Sequence, residues 1–291
     1  MANPIVNTLP AYVDEQRLPL IAKTVLAGDK VKMLNLQTDV KGKTALNLLS
    51  TDITLQDAHE CGFTPAGTQE LSQRYIEPAY LKVNMEYCDK LLLGKWAQYE
   101  VQIAAGNKTL PFEEEFISEV INKVQAEVER RVFEGVKATD EFDGLITIAK
   151  NDGGVSSAYS ASDIFGSLWN LYQAIPASAH AADTTIFVSH KIFDAFVHEL
   201  IVKNMYHYNP TDEYGVTKLP GTNVDVVAVD NVSDTFGLCG RLSNLFYGVD
   251  MANDDEKFDF WYSKDNGTFR LAIEFVAGTQ IAFPDEVSYL Q

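Results

Sequence analysis

The chain has 291 residues, 46% hydrophobic and 22% charged, enough apolar side chains to bury a sizeable core and too many for wholesale disorder. Its 41 acidic against 23 basic residues give a net charge of −18, and residues 151–291 alone carry nineteen acids against seven bases. With no cluster of Lys and Arg to displace counterions from phosphates, this balance argues against sequence-specific nucleic-acid binding, and no run of 18 apolar residues spans a membrane.

The length predicts two packed domains plus extensions. Met1-Ala2-Asn3-Pro4 carries no basic segment leading into an apolar run, so no signal peptide is expected. Cys61, Cys88 and Cys239 stand at unrelated spacings, which points to a reducing compartment without a disulfide framework. Residues 1–30 contain Asn3-Pro4, Leu9-Pro10 and Leu18-Pro19, too interrupted for a long helix, and read as an extended arm. From Val31 to Tyr87 the signal is strand-like. Leu81, Val83, Met85 and Tyr87 alternate with Lys82, Asn84 and Glu86, and Val31-Lys32-Met33 and Ile53-Thr54-Leu55 alternate more briefly. Lys41-Gly42-Lys43 and the Gly62–Gly67 stretch are turn-prone. The whole forms a long hairpin-like excursion with little core of its own, which needs a surface on another subunit.

A helix over about 112–134 is the clearest element. Phe116, Val120, Val124 and Val128 recur every four residues, three glutamates open it, Arg130 and Arg131 close it, and Gly135 caps it. Gly144-Leu145-Ile146-Thr147-Ile148 reads as a buried strand. Ser160 or Ser162 caps a helix bearing Ile164, Leu168, Trp169, Tyr172 and Ile175. A strand at Thr184–Val188 precedes a second helix capped by Ser189. Val224–Val229 and Leu245–Val249 are further strands, and Phe258–Ser263 pairs with Thr268–Val276 across Asn266-Gly267.

Reaction chemistry is hard to find. Gly42-Lys43-Thr44 matches the end of a phosphate-binding loop, but Gln37 replaces its leading glycine and no buried helix follows, so a flexible hairpin tip is the better reading. His198-Glu199 lacks the second histidine of a zinc protease, because Val202 stands there, and reads as a solvated helix face. His59 and Cys61 are two ligands without a third or fourth. Asp254, Asp255, Glu256 and Asp259 lack the spacing of a calcium loop. Phe258, Phe260, Trp261 and Tyr262 read as a sheet face. No catalytic residue, metal site or cofactor is assigned.

The order of elements resembles the Hong-Kong-97-type fold of tailed-bacteriophage major capsid proteins, over nearly the whole chain. Val128-Glu129-Arg130-Arg131-Val132-Phe133-Glu134-Gly135 is similar to the end of that family's spine helix, and Phe142-Asp143-Gly144-Leu145-Ile146 to the segment leaving it. Ala182-Asp183-Thr184-Thr185-Ile186-Phe187-Val188-Ser189 resembles its axial strand-helix step. Leu219-Pro220-Gly221-Thr222-Asn223-Val224 resembles a following turn, and Phe269-Arg270-Leu271-Ala272-Ile273 with Gly278, Ile281, Ala282 and Phe283 its closing strands.

The resemblance implies an α+β shell subunit, with an N-terminal arm at 1–30 and an extended β-hairpin loop at 31–85. A peripheral domain at 86–154 carries the spine helix, an α/β axial domain spans 155–250, and a return hairpin at 251–291 rejoins the peripheral domain. Pentamers and hexamers of an icosahedral shell would enclose double-stranded DNA without sequence-specific contacts. Scaffolding, portal and decoration proteins would be partners, with the virion as location, assembly in the host cytoplasm and no membrane. Methionine at position 1 implies that scaffolding is a separate protein or absent. Lys41, Gly42 and Lys43, at the expected hairpin tip, are the suspected intersubunit contact, with no isopeptide bond expected. An encapsulin-type nanocompartment shell keeps the fold and changes the contents; its cargo groove needs an amphipathic N-terminal helix, which the early prolines oppose. A soluble acidic α/β enzyme and a tail or decoration protein are the remaining alternatives.

Overall fold

The computed structural model describes residues 5–25, 28, 30–56, 66–105, 112–181, 183–205, 215–250 and 257–291. The chain opens with helices α1 (Ile5–Glu15) and α2 (Arg17–Val25), then the short strand β1 (Asn35–Gln37). Strands β2 (Thr44–Asp52) and β3 (Thr68–Ile76) form a hairpin, and β4 (Ala79–Cys88) follows after two residues. Helix α3 (Asp89–Ala104) precedes the long helix α4 (Phe112–Glu134), the single turn α5 (Lys137–Asp140) and α6 (Leu145–Asn151).

The second half alternates. Strand β5 (Val155–Ser157), α7 (Ile164–Gln173), β6 (Thr184–Ser189) and α8 (His190–Val202) lead into β7 (Val216–Lys218), β8 (Asp225–Val229) and β9 (Gly237–Arg241). Strands β10 (Leu245–Val249), β11 (Lys257–Ser263), β12 (Thr268–Ile281) and β13 (Ser288–Leu290) complete the chain.

Two sheets carry two cores. In the first sheet β12 is long enough to pair with β4, β10 and β11, and β1 joins β10 in parallel. Its apolar face packs with α1, α2 and α4, bringing Leu9, Val13, Val128, Phe258 and Phe269 into one core. The second sheet runs β5-β13-β9-β6-β8-β7, with α7 and α8 burying Leu168, Leu171, Phe196 and Leu200 against it. Phe133, fully buried in the last turn of α4, joins the halves: its ring lies 5.1 Å from Phe187 and 5.8 Å from Phe236.

The α4 boundaries coincide with the expected 112–134, because a four-residue apolar stripe and matched end charges specify one face and two ends. Beyond Glu134 the backbone doubles back, and Gly144 N–H donates to the Gly135 carbonyl at 2.8 Å. A Cβ on Gly144 would stand 2.4 Å from Gly135 N, so only glycine permits the approach.

Several expectations need correction. Residues 5–25 are not an extended arm: α1 and α2 lie on the chain's own sheet and on α4, and Gln125 Nε2 donates to the Lys23 carbonyl at 2.5 Å. Pro19 falls in the first turn of α2, where its missing N–H costs nothing, while burial of Leu9 and Val13 offsets the bond lost at Pro10. Val31–Met33 is a 3₁₀ turn, and residues 53–56 continue beyond β2 without strand structure. The segment after α4 is helix α6, not a strand; its buried Leu145, Ile146, Ile148 and Ala149 suit either period, and so short an apolar run cannot decide between them.

Asp163, rather than Ser160 or Ser162, caps α7, accepting from Gly166 N–H at 3.1 Å. Glu199 is not on a solvated face: it accepts from Phe165 N–H at 2.8 Å and pairs with Lys203 at 2.6 Å. The excursion is also narrower than 31–85, because β1 and β4 are built into the main sheet and only Thr44–Ile76 stands off it.

Candidate assembly surface

Strands β2 and β3 pair from Thr44↔Ile76 to Asp52↔Thr68 and form a two-stranded sheet with no third strand among the described residues. Only the root of this hairpin has a core. Val40, Leu46 and Ile76 are buried there, with Phe246 packed against them. Leu48 is also buried, but other apolar residues further out face water: Leu49 and Leu71, directly opposite each other, are 54% and 78% exposed, and Ile53 and Leu55 are 76% and 93% exposed. An isolated two-stranded ribbon is marginal in water, and exposed aliphatic side chains on it and on the segment running out from it mark an interaction surface.

Charged contacts fix the root. Glu77, between β3 and β4, accepts from Lys43 Nζ and Lys137 Nζ, each at 2.9 Å. These hydrogen bonds, Lys137's foremost, pull its carboxyl down to about 2, and the Glu77 carboxylate raises the Lys137 ammonium in turn. Arg74 reaches Asp152 and, at 3.2 Å, Gln280 Oε1; Gln280 Nε2 donates to the Tyr75 carbonyl at 2.6 Å. A polar cleft of about 610 Å³ lies under these contacts.

Lys41, Gly42 and Lys43 therefore sit at the hairpin's root, not at its tip. Lys43 is held by Glu77 and lies 4.6 Å from the Tyr75 ring centroid, and Lys41 pairs with Asp39 at 3.5 Å. The turn expectation placed the tip one strand too early, since β2 begins at Thr44. Leu49, Leu71, Arg74 and Glu77 were missed; the available signal was Glu77-Pro78 punctuating two alternating runs.

A second concavity, an apolar groove of about 680 Å³, runs between α3, α4 and β4, with Val83, Tyr87, Phe116 and Val124 in its lining. Near its end, Arg130 and Arg131 both reach Glu127 at 2.9 Å, and Arg130 Nη2 reaches Asp140 Oδ1 at 2.7 Å. The Arg130 hydrogen bond holds both the Asp140 and Glu127 carboxyls below their ordinary range. A depressed carboxylate stabilises the fold above its unfolded pKa of about 4 and loses that contribution as pH falls through its folded value. Asp140→Asn should therefore cost about 1–2 kcal/mol at pH 7, with parent and variant melting curves converging toward pH 3. A gap that stays constant with pH would contradict this.

Among the described residues, no three His, Cys, Asp or Glu side chains are grouped to hold a metal ion, and no helix is long and apolar enough to cross a membrane. His59, Cys61, Asp254, Asp255 and Glu256 lie outside the described residues. Cys88 is exposed; Cys239 is buried, which pushes its thiol up to about 12. In the aromatic set, Phe258 and Phe260 are core residues while Trp261 is 43% exposed, the alternation of a sheet with one wet face.

No family model and no curated protein matches the chain. Solved structures do. A chain of the satellite phage P4 procapsid that includes the size determination (Sid) protein matches with a TM-score of 0.62 at 10% identity, over 100% of this chain and 98% of that one. A chain from the capsid of an empty GTA particle matches with a TM-score of 0.59 at 10% identity, over 92% and 89%. A virus-like particle from Pyrococcus furiosus matches with a TM-score of 0.58 at 11% identity, over 96% and 99%. At these identities the likeness is one of fold, and the fold is that of phage capsid chains.

Proposed function

We propose that the chain is the major capsid protein of a tailed phage, forming the pentamers and hexamers of an icosahedral shell around double-stranded DNA. One observation carries the reading: a hairpin on which Leu49, Leu71, Ile53 and Leu55 are left exposed by the described residues, on a fold shared almost end to end with capsid chains. Hairpin and body are different surfaces, so their contact is heterologous, and heterologous contacts propagate into rings and shells.

In this assignment Thr44–Ile76 is the extended loop, α4 the spine helix, the first sheet the peripheral domain and the second the axial domain. Leu49, Ile53, Leu55 and Leu71 carry the intersubunit contact, with Lys41, Gly42 and Lys43 at its inner margin. A net charge of −18 keeps counterion-releasing contacts with packaged DNA few. Scaffolding, portal and decoration proteins belong to the same reading, and no reaction chemistry does.

A second reading, a compartment shell of the encapsulin type, is favoured by one observation. The N-terminal segment is helical and packed on α4, which removes the objection raised by the prolines, and the Pyrococcus furiosus particle matches over its whole length. The contents of purified particles separate the two. The capsid reading expects nuclease-protected double-stranded DNA in particles from the native source. A single co-purifying protein in place of nucleic acid would support the compartment.

A further inference from the structure

We propose that the groove between α3, α4 and β4 is a binding site for a single-chain fatty carboxylate, its hydrocarbon laid along α4 and its head held by Lys82 and Lys95. The site belongs to the single chain and goes beyond the function proposed above.

The shape of the groove limits what fits. Its lining follows α4 from Phe112 to Arg131, which at ~1.5 Å per residue is about 28 Å of helix. A volume of about 680 Å³ over that length averages about 24 Å² in cross-section, a slot for one extended chain. A second helix, about 10 Å across, needs several times that area. The walls are apolar: Val120 and Val124 of α4 stand with Val83 and Met85 of β4, and Phe112 and Phe116 lie toward the N-terminal end of α4. Met85 shares the strand face of buried Leu81 yet is 39% exposed, so this floor meets water in the free chain.

One wall can give way. Of the sixteen residues of α3 only Leu92 and Tyr99 are buried, Leu91 and Val101 are 73% and 69% exposed, and a Cβ on Gly94 would meet nothing within 4 Å. A helix seated by so few side chains shifts at low cost, which admits a chain without disturbing the core beneath α4.

Charge selects the head. Three glutamates line the groove and each is engaged: Glu119 pairs with Lys123 at 3.4 Å, Glu127 with Arg131 at 2.9 Å, and the Tyr99 hydroxyl donates to Glu115. Lys82 of β4 and Lys95 of α3 line the same groove and form no ion pair among the described residues. In a chain of net charge −18, two such lysines beside an apolar slot suit one anionic group at the end of a hydrocarbon.

Calorimetric titration of the dilute, unassembled full chain with decanoate, dodecanoate and tetradecanoate, each below its micellar concentration, tests the site. One molecule should bind per chain, and each added methylene should tighten binding about fourfold. Lys82→Gln with Lys95→Gln should weaken dodecanoate by about tenfold and leave dodecanol unaffected. Met85→Glu should abolish binding of both, and the lysine pair, both exposed, decides the matter if that variant misfolds. Many molecules per chain, equal affinity for acid and alcohol, or binding unchanged in the variants would overturn the site. So would a Met85→Cys thiol, with Cys61 and Cys88 replaced by serine, that becomes protected as protein concentration rises and not on adding dodecanoate, because a second copy would then fill the groove. A chain that never forms shells would overturn the proposed function and leave this result readable.

Discussion

Replacing Leu49 and Leu71 together with glutamate is expected to abolish assembly while leaving the subunit folded. Both side chains are more than half exposed in the isolated chain, so the substitution removes little buried surface, and the melting temperature should move by no more than about 2 °C. In a shell the same leucines would be covered. Burial of a leucine contributes about 1.5–3 kcal/mol, so losing two raises the concentration needed for assembly by about 100-fold or more, before any penalty for burying charge. Sedimentation velocity checks the assembly and circular dichroism the fold. Leu49→Ala with Leu71→Ala should fall between parent and glutamate variant. Assembly at the parent's concentration would place the intersubunit contact elsewhere.

The second large effect is expected in the interior. Phe133→Ala should destabilise the subunit by about 3–5 kcal/mol, the usual cost of emptying a fully buried phenylalanine site. That corresponds to a fall on the order of 10 °C in melting temperature for a chain of this size. The cost is high because the ring fills the joint between the two cores, with Phe187 and Phe236 packed on it from the second sheet's side. Phe133→Leu, which keeps most of the volume, should recover more than half of the loss. Scanning calorimetry measures both, and a change below about 1 kcal/mol for the alanine variant would mean that the halves are not joined through this ring.

What the residues revealed in advance follows from how strongly each element is over-determined. Helix α4 has a stripe, end charges and a terminal glycine in agreement, and its limits could be read to the residue. The β11–β12 hairpin had both a turn signal and period-two strands, although its loop spans the four residues Lys264–Gly267. Leu145–Ala149 had neither cap nor length to separate helix from strand, and packing under α4 and β12 decided it. In α1 a local rule, proline against helix, lost to tertiary burial of Leu9 and Val13.

The assembly surface was half legible. An excursion without a private core was apparent from alternation and turns, but its extent was not, because whether β4 belongs to the arm or to the sheet depends on its pairing with β12, some 190 residues away. The error at Lys41–Lys43 has the same origin: a turn-prone triplet marks a change of direction without saying whether it is a tip or a root.

The most direct measurement is electron microscopy of the purified full-length chain across a range of micromolar concentrations, with and without its neighbouring gene products. Closed particles of uniform diameter are expected, in which density for Leu49 and Leu71 meets an adjacent subunit. A monomer at every concentration, with those leucines still facing solvent, would contradict it.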